Sequence, residues 1–477
     1  MKSEIGVVGL GTMGANLALN LDDHDVSVAA WDISAEAVQR FLSEHPERGF
    51  AGATGLADLV ESLKRPRRIL LMIPAGKPVE QTIEALEPHL DEGDILLDGG
   101  NSHFADTERR GRRLAERGVH FFGVGVSGGS EGARHGPSMM PGGPREAWEE
   151  IRPVLEAIAA RTEAGPCVAY LGSGGAGHFV KMVHNGIEYA DMQGIAEAYD
   201  FLSRGLGYDA QRLAETFGAW NEGELESFLL EITAEIFRVT DERSGEPLVE
   251  RVLDLAEQKG TGRWTATTAL ELGAPVPSIV AAVDARVLSS RRGERVAASR
   301  RLAGPAFALP DNEREDLAED VRQALYASRI CAFAQGMDLI RQGSAEHGWE
   351  IPPAEVARVW TGGCIIRARL LEPIRGALQQ DPDLPNLLLD EGLGREVEQA
   401  QDGWRRAVAS AARIGLPVPC WSAALAYFDA FRTERLPQNL TQAQRDWFGA
   451  HTYRLLDDPG GEPIHTDWAA LAAETRA

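Results

Sequence analysis

The chain has 477 residues, enough for about two to four domains with sizeable cores. With 44% hydrophobic and 25% charged residues it has the composition of a globular protein, and no run approaches the roughly 18 apolar residues of a membrane span. A net charge of −24 argues against nonspecific nucleic-acid binding and means that an anionic substrate must meet a local cluster of cations.

The N-terminal MKSEIGVVG runs straight into a strand-like segment, with no sign of a secretory leader. Strands are predicted at Ile5–Gly9, Val26–Trp31, Ile69–Ile73, Ile95–Asp98 and Phe121–Val126, with helical stretches such as Met13–Leu21 and Ala35–Leu42 between them. Apolar strands alternating with helices predict a Rossmann-type, doubly wound and mostly parallel sheet over residues 1–176. A further short strand is expected at Val168–Leu171, before GSGGAG. Strand signals then nearly vanish. Helical runs such as Glu313–Arg341, Pro353–Arg369 and Glu396–Ile414 predict a large all-helical domain over 177–435. Residues 436–477 read as a C-terminal tail that needs another surface to order it. Cys167, Cys331, Cys364 and Cys420 lie far apart, so neither a disulfide framework nor a metal site is expected, and a cytoplasmic location is the default.

GVVGLGTMGANLAL combines strand, turn and helix, with Gly9, Gly11 and Gly14 spaced as GxGxxG. The first glycine permits the tight turn, the second lets backbone approach a pyrophosphate, and the third allows helix to pack on strand. Leu10, Thr12 and Met13 complete the turn, and the helix N-terminus offers free N–H groups to phosphates. Asp32 stands 18 positions past Gly14, at the end of the next strand. There it can accept hydrogen bonds from the adenosine ribose of NAD; the alternative is a turn or helix-capping residue, although Ser34, just before the AEAV helix, is the better cap.

GAGHFVKMVHNGIEYADMQ spans 175–193. On a helix, Lys181, His184, Asn185 and Glu188 fall within about 100° of arc. Four polar residues amid Phe179, Val180, Val183 and Ile187 are costly to bury without purpose, and a Lys and a Glu in a partly apolar cleft can form an acid–base pair. The same spacing also fits an i, i+7 pair on a solvated face. Further on, Lys259 and Thr261 of KGTGRW, with Arg286 of AAVDARVL, could grip a phosphate or be scattered surface charge. Lysine is scarce, with five (Lys2, Lys64, Lys77, Lys181, Lys259) among 48 basic residues, which weakens the surface reading for Lys259.

Together with LDGGNS (97–102), GVSGGSEGARHGPSMMPGG (125–143), GCIIRA (363–368) and QAQRDWFGAHTY (442–453), these segments resemble the 6-phosphogluconate dehydrogenases, long form, in order and over nearly the whole chain. The resemblance implies a Rossmann-type domain, a helical domain, and a tail reaching into the second subunit of a homodimer. It implies oxidative decarboxylation of 6-phosphogluconate without a metal, with Lys181 as general base and Glu188 as general acid. Asn101, Ser127, Gly128, Gly129, His184 and Asn185 match residues that hold the carboxylate and hydroxyls. Tyr189, Lys259, Thr261, Arg286 and Arg445 match the phosphate grip, and His451 a substrate contact, with Arg445 and His451 supplied by the neighbouring subunit. Ile73, Pro74, Ala75 and Asn101 join the glycine turn and Asp32-Ile33-Ser34 at the dinucleotide.

The departures from the family pattern lie in the cofactor segments. NADP-using members read Asn-Arg-Ser/Thr where this chain reads Asp32-Ile33-Ser34, with no gap from Asn20 onward. Pro74 replaces a frequent Lys and Gly11 a frequent Ala. An Arg that would pair with a 2′-phosphate is missing and a carboxylate has been added, so NAD is expected in preference to NADP. The short β-hydroxyacid dehydrogenases lack the long helical domain and the tail. A binding module that had lost its activity would be expected to have lost Lys181 or Glu188.

Overall fold

The computed structural model describes residues 2–258, 260–305, 309 and 316–476. They form two compact units, Met1–Leu425 and Ala426–Ala477.

The first unit begins with β1 (Ile5–Val8), α1 (Thr12–Asp23), β2 (Val28–Trp31), α2 (Ala35–Glu44), β3 (Ala51–Gly52), α3 (Leu56–Glu61), β4 (Arg68–Leu71), α4 (Lys77–Leu86) and β5 (Ile95–Asp98). It continues through α5 (Phe104–Ala115), β6 (His120–Ser127), α6 (Gly129–His135), β7 (Ser138–Gly142) and α7 (Trp148–Ile158). The sheet order is β3-β2-β1-β4-β5-β6-β7; all neighbours are parallel except β6 and β7. β1 and β5 are buried along their whole length, as strands covered by helices on both faces must be. This is the doubly wound domain expected from the sequence.

Two expectations need correction. Val168–Leu171 is not a strand: only Val168 pairs, in a single bridge to Met139. The edge of the sheet is formed instead by β7, which turns back on β6 through α6. Pro353–Arg369 is not one helix. It stops at Val359 because Gly363 takes φ +65, where a Cβ would lie 2.5 Å from the Gly136 carbonyl oxygen.

After the small hairpin β8 (Arg161–Thr162) and β9 (Gly165–Pro166), helix α8 (Ala176–Asp200) runs from the sheet edge into the helical region. Its first turn lies on bare backbone: a Cβ on Gly177 would sit 2.3 Å from the Met140 oxygen, and one on Gly125 would sit 2.4 Å from Lys181 Cβ. Then follow α9 (Ala210–Trp220), α10 (Phe228–Arg238), α11 (Thr261–Leu272), α12 (Pro277–Ser290), α13 (Arg292–Ser299), α14 (Leu317–His347), α15 (Pro353–Val359), α16 (Leu371–Gln380), α17 (Glu391–Ile414) and α18 (Pro419–Phe431). α8 and α14 are buried nearly all round, as the central helices of such a domain should be. Gly336 and Gly343 of α14 receive Ile187 and Phe179 of α8, and Arg329 pairs with Asp191 at 2.8 Å across the same contact.

In the second unit α19 (Gln438–Gly449) is followed by a bridged pair, Tyr453 and Ile464, and by α20 (Trp468–Arg476). Among the described residues no helix is long and apolar enough to cross a membrane.

Candidate active site

The carboxyl ends of β1, β2, β4 and β5 bring the expected dinucleotide residues to one edge of the sheet, where open α/β sheets form their ligand crevice. Gly9 has φ +96, and a Cβ there would meet the Met72 oxygen at 2.5 Å. A Cβ on Gly14 would be 1.9 Å from the Gly9 oxygen, whereas Gly11 faces open space. The first and third glycines are therefore required by packing, and the second leaves room for a ligand. No side chain caps α1 at Gly11 and its first turn has no acid, so the N–H groups from Thr12 to Gly14 are offered to an anion. These features fit a dinucleotide pyrophosphate.

Asp32 does more than either reading of it foresaw. Its Oδ2 accepts from the Leu10 N–H at 2.7 Å, and its Oδ1 from the Ser34 N–H at 2.9 Å. Ser34 caps α2 by accepting from the Ala37 N–H at 3.2 Å. Asp32 is thus a half-buried turn residue that braces the glycine turn. Ile33 beside it is 91% exposed. Ile73, Pro74 and Ala75 follow β4, and Asn101 follows β5.

Arg110 on α5 ties these last two loops together. Fully buried, it donates to the Gly76 oxygen at 3.0 Å and to Glu80 Oε2 at 3.1 Å, and lies 3.4 Å from Asp98 Oδ2. Sequence reasoning missed it, because RRGRR reads as a solvated charge run.

Facing the crevice is α8. Lys181 is 6% exposed, and its Nζ donates to Asn185 Oδ1 at 2.8 Å with His184 Nδ1 at 3.3 Å. Asn185 Nδ2 donates to Thr261 Oγ1 at 3.0 Å, which leaves Oδ1 as the acceptor for both Lys181 and the His184 Nδ1–H at 3.0 Å. His184 Nε2 then accepts from Ser127 Oγ at 3.3 Å. Behind His184 stands Trp360, edge-on at 5.7 Å, which the sequence did not single out. Glu188 lies one turn beyond, 3.7 Å from His184 Nδ1. The solvated-face alternative is excluded: Lys181 and His184 are buried.

Burial sets the proton affinities here. It pushes the Lys181 ammonium below the usual lysine range against the pull of Glu188, and pushes Glu188 up against the pull of Lys181 and Arg286. Burial and the charge of Lys181 hold His184 well below its ordinary value, so its imidazole is neutral.

Gly128, with φ +118, has its would-be Cβ 2.4 Å from the Gly363 oxygen, so GCIIRA backs the Ser127-Gly128-Gly129 turn. Tyr189 is buried, and the Arg286 guanidinium stacks on its ring at 3.5 Å. Thr261 opens α11 after Gly260, which has φ +99; Lys259 lies outside the described residues. Arg445 and His451 belong to the second unit and are exposed.

A glycine-turn crevice at the sheet edge, faced by a buried lysine with its glutamate, defines a nicotinamide dinucleotide-linked oxidoreductase. Comparison with known proteins narrows the class. Residues 4–172 match the NAD binding domain of 6-phosphogluconate dehydrogenase, and residues 177–468 match the 6-phosphogluconate dehydrogenase C-terminal domain. The chain is 51% identical to a decarboxylating 6-phosphogluconate dehydrogenase of Synechococcus elongatus, over 98% of this chain and 99% of that one. It is 49% identical, with the same coverage, to the NADP(+)-dependent, decarboxylating enzyme of Bacillus subtilis. The solved Plasmodium falciparum 6-phosphogluconate dehydrogenase, studied apo, with NADP+ and with 6-phosphogluconate, superposes with a TM-score of 0.94 at 40% identity, covering 98% of this chain and all of that one. The chain belongs to the 6-phosphogluconate dehydrogenase family.

Proposed function

We propose that this protein oxidises and decarboxylates 6-phosphogluconate to ribulose 5-phosphate and CO2, with NAD as its preferred hydride acceptor. The observation that carries the reaction is the buried Lys181, held by Asn185 and facing the crevice, with a raised Glu188 on the same helix face. Burial favours the neutral amine, which takes the proton of the 3-hydroxyl as C3 loses its hydride. The nicotinamide ring, when bound, accepts that hydride. In the resulting 3-keto acid the C1–C2 bond breaks and CO2 leaves. The electron pair left behind forms the C2=C3 enediol as the Lys181 ammonium returns a proton to O3. Glu188, whose proton affinity burial raises, protonates C2, and the O3 proton passes back to Lys181 as the ketone forms.

Asn101, Ser127, Gly128, Gly129, His184 and Asn185 are assigned to the carboxylate and hydroxyls. Tyr189, Lys259, Thr261 and Arg286 are assigned to the phosphate, with Arg445 and His451 supplied by the partner in a homodimer. The cations that the charge of −24 demands are thereby gathered at one end of the substrate.

The coenzyme reading rests on this chain's own residues, since the Bacillus subtilis relative is named NADP(+)-dependent and the Plasmodium falciparum enzyme was solved with NADP+. A 2′-phosphate would meet Asp32 and find Ile33 where NADP-using members carry Arg, each costing about 1–3 kcal/mol. kcat/KM is expected to be higher for NAD than for NADP on one preparation; the reverse order sinks the preference and leaves the reaction untouched. Replacing Lys181→Met is expected to lower the rate of NADH formation by about 10²–10⁴-fold, with 6-phosphogluconate binding retained in calorimetry. Turnover near the normal rate would show that Lys181 is not the base.

A further inference from the structure

Asp446 is a carboxylate of α19 in the second unit. It is wholly buried, and each oxygen takes two donors. The Thr452 N–H (2.8 Å) and His465 Nδ1 (3.0 Å) reach Oδ1; the Thr466 N–H (3.1 Å) and Trp468 Nε1 (2.9 Å) reach Oδ2. Burial opposes the charge, but these four donors hold the carboxyl below the usual range. One side chain on α19 thus ties down the loop after that helix, the residues following the Tyr453–Ile464 bridge and the start of α20.

The loop it ties down is strained. Ala450 and Thr452, on either side of His451, both take left-handed backbone, at φ +48 and +57, without being glycine. Such a conformation persists only where surrounding contacts impose it, and the Thr452 N–H on Asp446 is one of them. Gln442 supplies the second. Its Nε2 donates to the Thr452 oxygen, and its Oε1 accepts from Arg445 Nη1 at 3.0 Å. One glutamine therefore orients the Arg445 guanidinium and closes the loop that presents His451.

We infer that Asp446 and Gln442 are positioning residues that preset Arg445 and His451 for the substrate, an inference that rests on the shared-site reading above. An ionised carboxylate accepts four hydrogen bonds and donates none. An asparagine there turns its NH2 toward two N–H donors, so the loop loses its geometry while the shape is kept.

The test is steady-state kinetics on the full-length enzyme. Asp446→Asn is expected to raise KM for 6-phosphogluconate about tenfold or more and to leave KM for NAD within about twofold. Adding His451→Ala to Asp446→Asn should cost little beyond either change alone, because both remove the same contact. Gln442→Leu should reproduce Arg445→Ala and be non-additive with it. If Asp446→Asn disturbs folding, Gln442→Leu decides the matter, since Gln442 lies outside the four-donor hub. Should Arg445→Ala and His451→Ala raise KM while Asp446→Asn and Gln442→Leu do not, the inference is overturned. Equal loss toward both substrates would also overturn it, by marking a purely structural role. If Arg445→Ala and His451→Ala themselves leave KM unchanged, the shared-site reading is what has failed.

Discussion

Asp32 accepts two backbone N–H groups, so replacing it acts on the turn as well as on the coenzyme. Asparagine keeps one acceptor and sets its NH2 against the other N–H, a loss of about 1 kcal/mol that falls on NAD and NADP alike. Absolute rates will therefore mislead, and the ratio is the proper readout. The double change Asp32→Asn with Ile33→Arg is expected to shift the NADP-to-NAD ratio of kcat/KM upward by at least about 30-fold. An unchanged ratio would mean that coenzyme choice is made elsewhere in the crevice. Asp32 also marks a limit of reading residues singly. The sequence offered ribose ligand and turn residue as alternatives, and the folded chain shows the turn contacts.

At the scale of elements, α8 joins the chemistry to the scaffold. Beyond Glu188 it carries Glu197, which is 2% exposed and accepts from the Cys420 and Trp421 N–H groups at 2.8 and 3.0 Å, in the first turn of α18. Burial, only partly offset by these bonds, pushes Glu197 up to about 7 from an ordinary 4.5. A folded-state value above the unfolded one means that the folded chain holds this proton more tightly. The resulting stability is complete below pH 4.5 and is lost as pH rises through about 7, a contribution of roughly 2–4 kcal/mol. In Glu197→Gln the drop in stability from pH 5 to pH 8 should shrink by that amount, measured by denaturant unfolding at both pH values. An unchanged drop would show that Glu197 does not titrate in this range. The clustered polar face of α8 was legible because helical period and residue type agreed at Lys181, His184, Asn185 and Glu188. The partners of Arg110 and Glu197 were not, because a charged residue's burial is decided by distant segments that no local pattern reveals. The end of α15 was legible in principle: the Gly362-Gly363 pair is a breaker, and the apolar period on either side of it masked the signal.

At the scale of the molecule, the second unit exposes Trp447, Phe448 and Leu456, large apolar side chains of the kind a monomer keeps inside. The sequence anticipated a tail in need of another surface; which surface is a question of assembly that no single chain encodes. A shared site makes a quantitative prediction. At 6-phosphogluconate concentrations well below the raised KM of Arg445→Ala, the Lys181→Met and Arg445→Ala homodimers should both be nearly inactive. In a heterodimer of the two, one site collects both lesions and the other collects none. An equimolar mixture, dissociated and reassembled, should therefore recover about a quarter of the parent activity. No recovery, with heterodimers demonstrated by tag pull-down, would place Arg445 beside its own subunit's Lys181.

On the proposed coenzyme reading, the brace at Asp32 also biases the order in which a lineage can exchange one coenzyme for another. Position 33 is almost fully exposed, so it is open to drift. Position 32 is tied to the glycine turn through Leu10, and any residue there must still accept that N–H. Arg at position 33 costs the turn nothing, whereas Asn at position 32 costs it about 1 kcal/mol, so the path by single substitutions that spares the turn runs through an Asp-Arg intermediate. Such intermediates, with mixed coenzyme use, are where to look among natural relatives for the passage between the two forms.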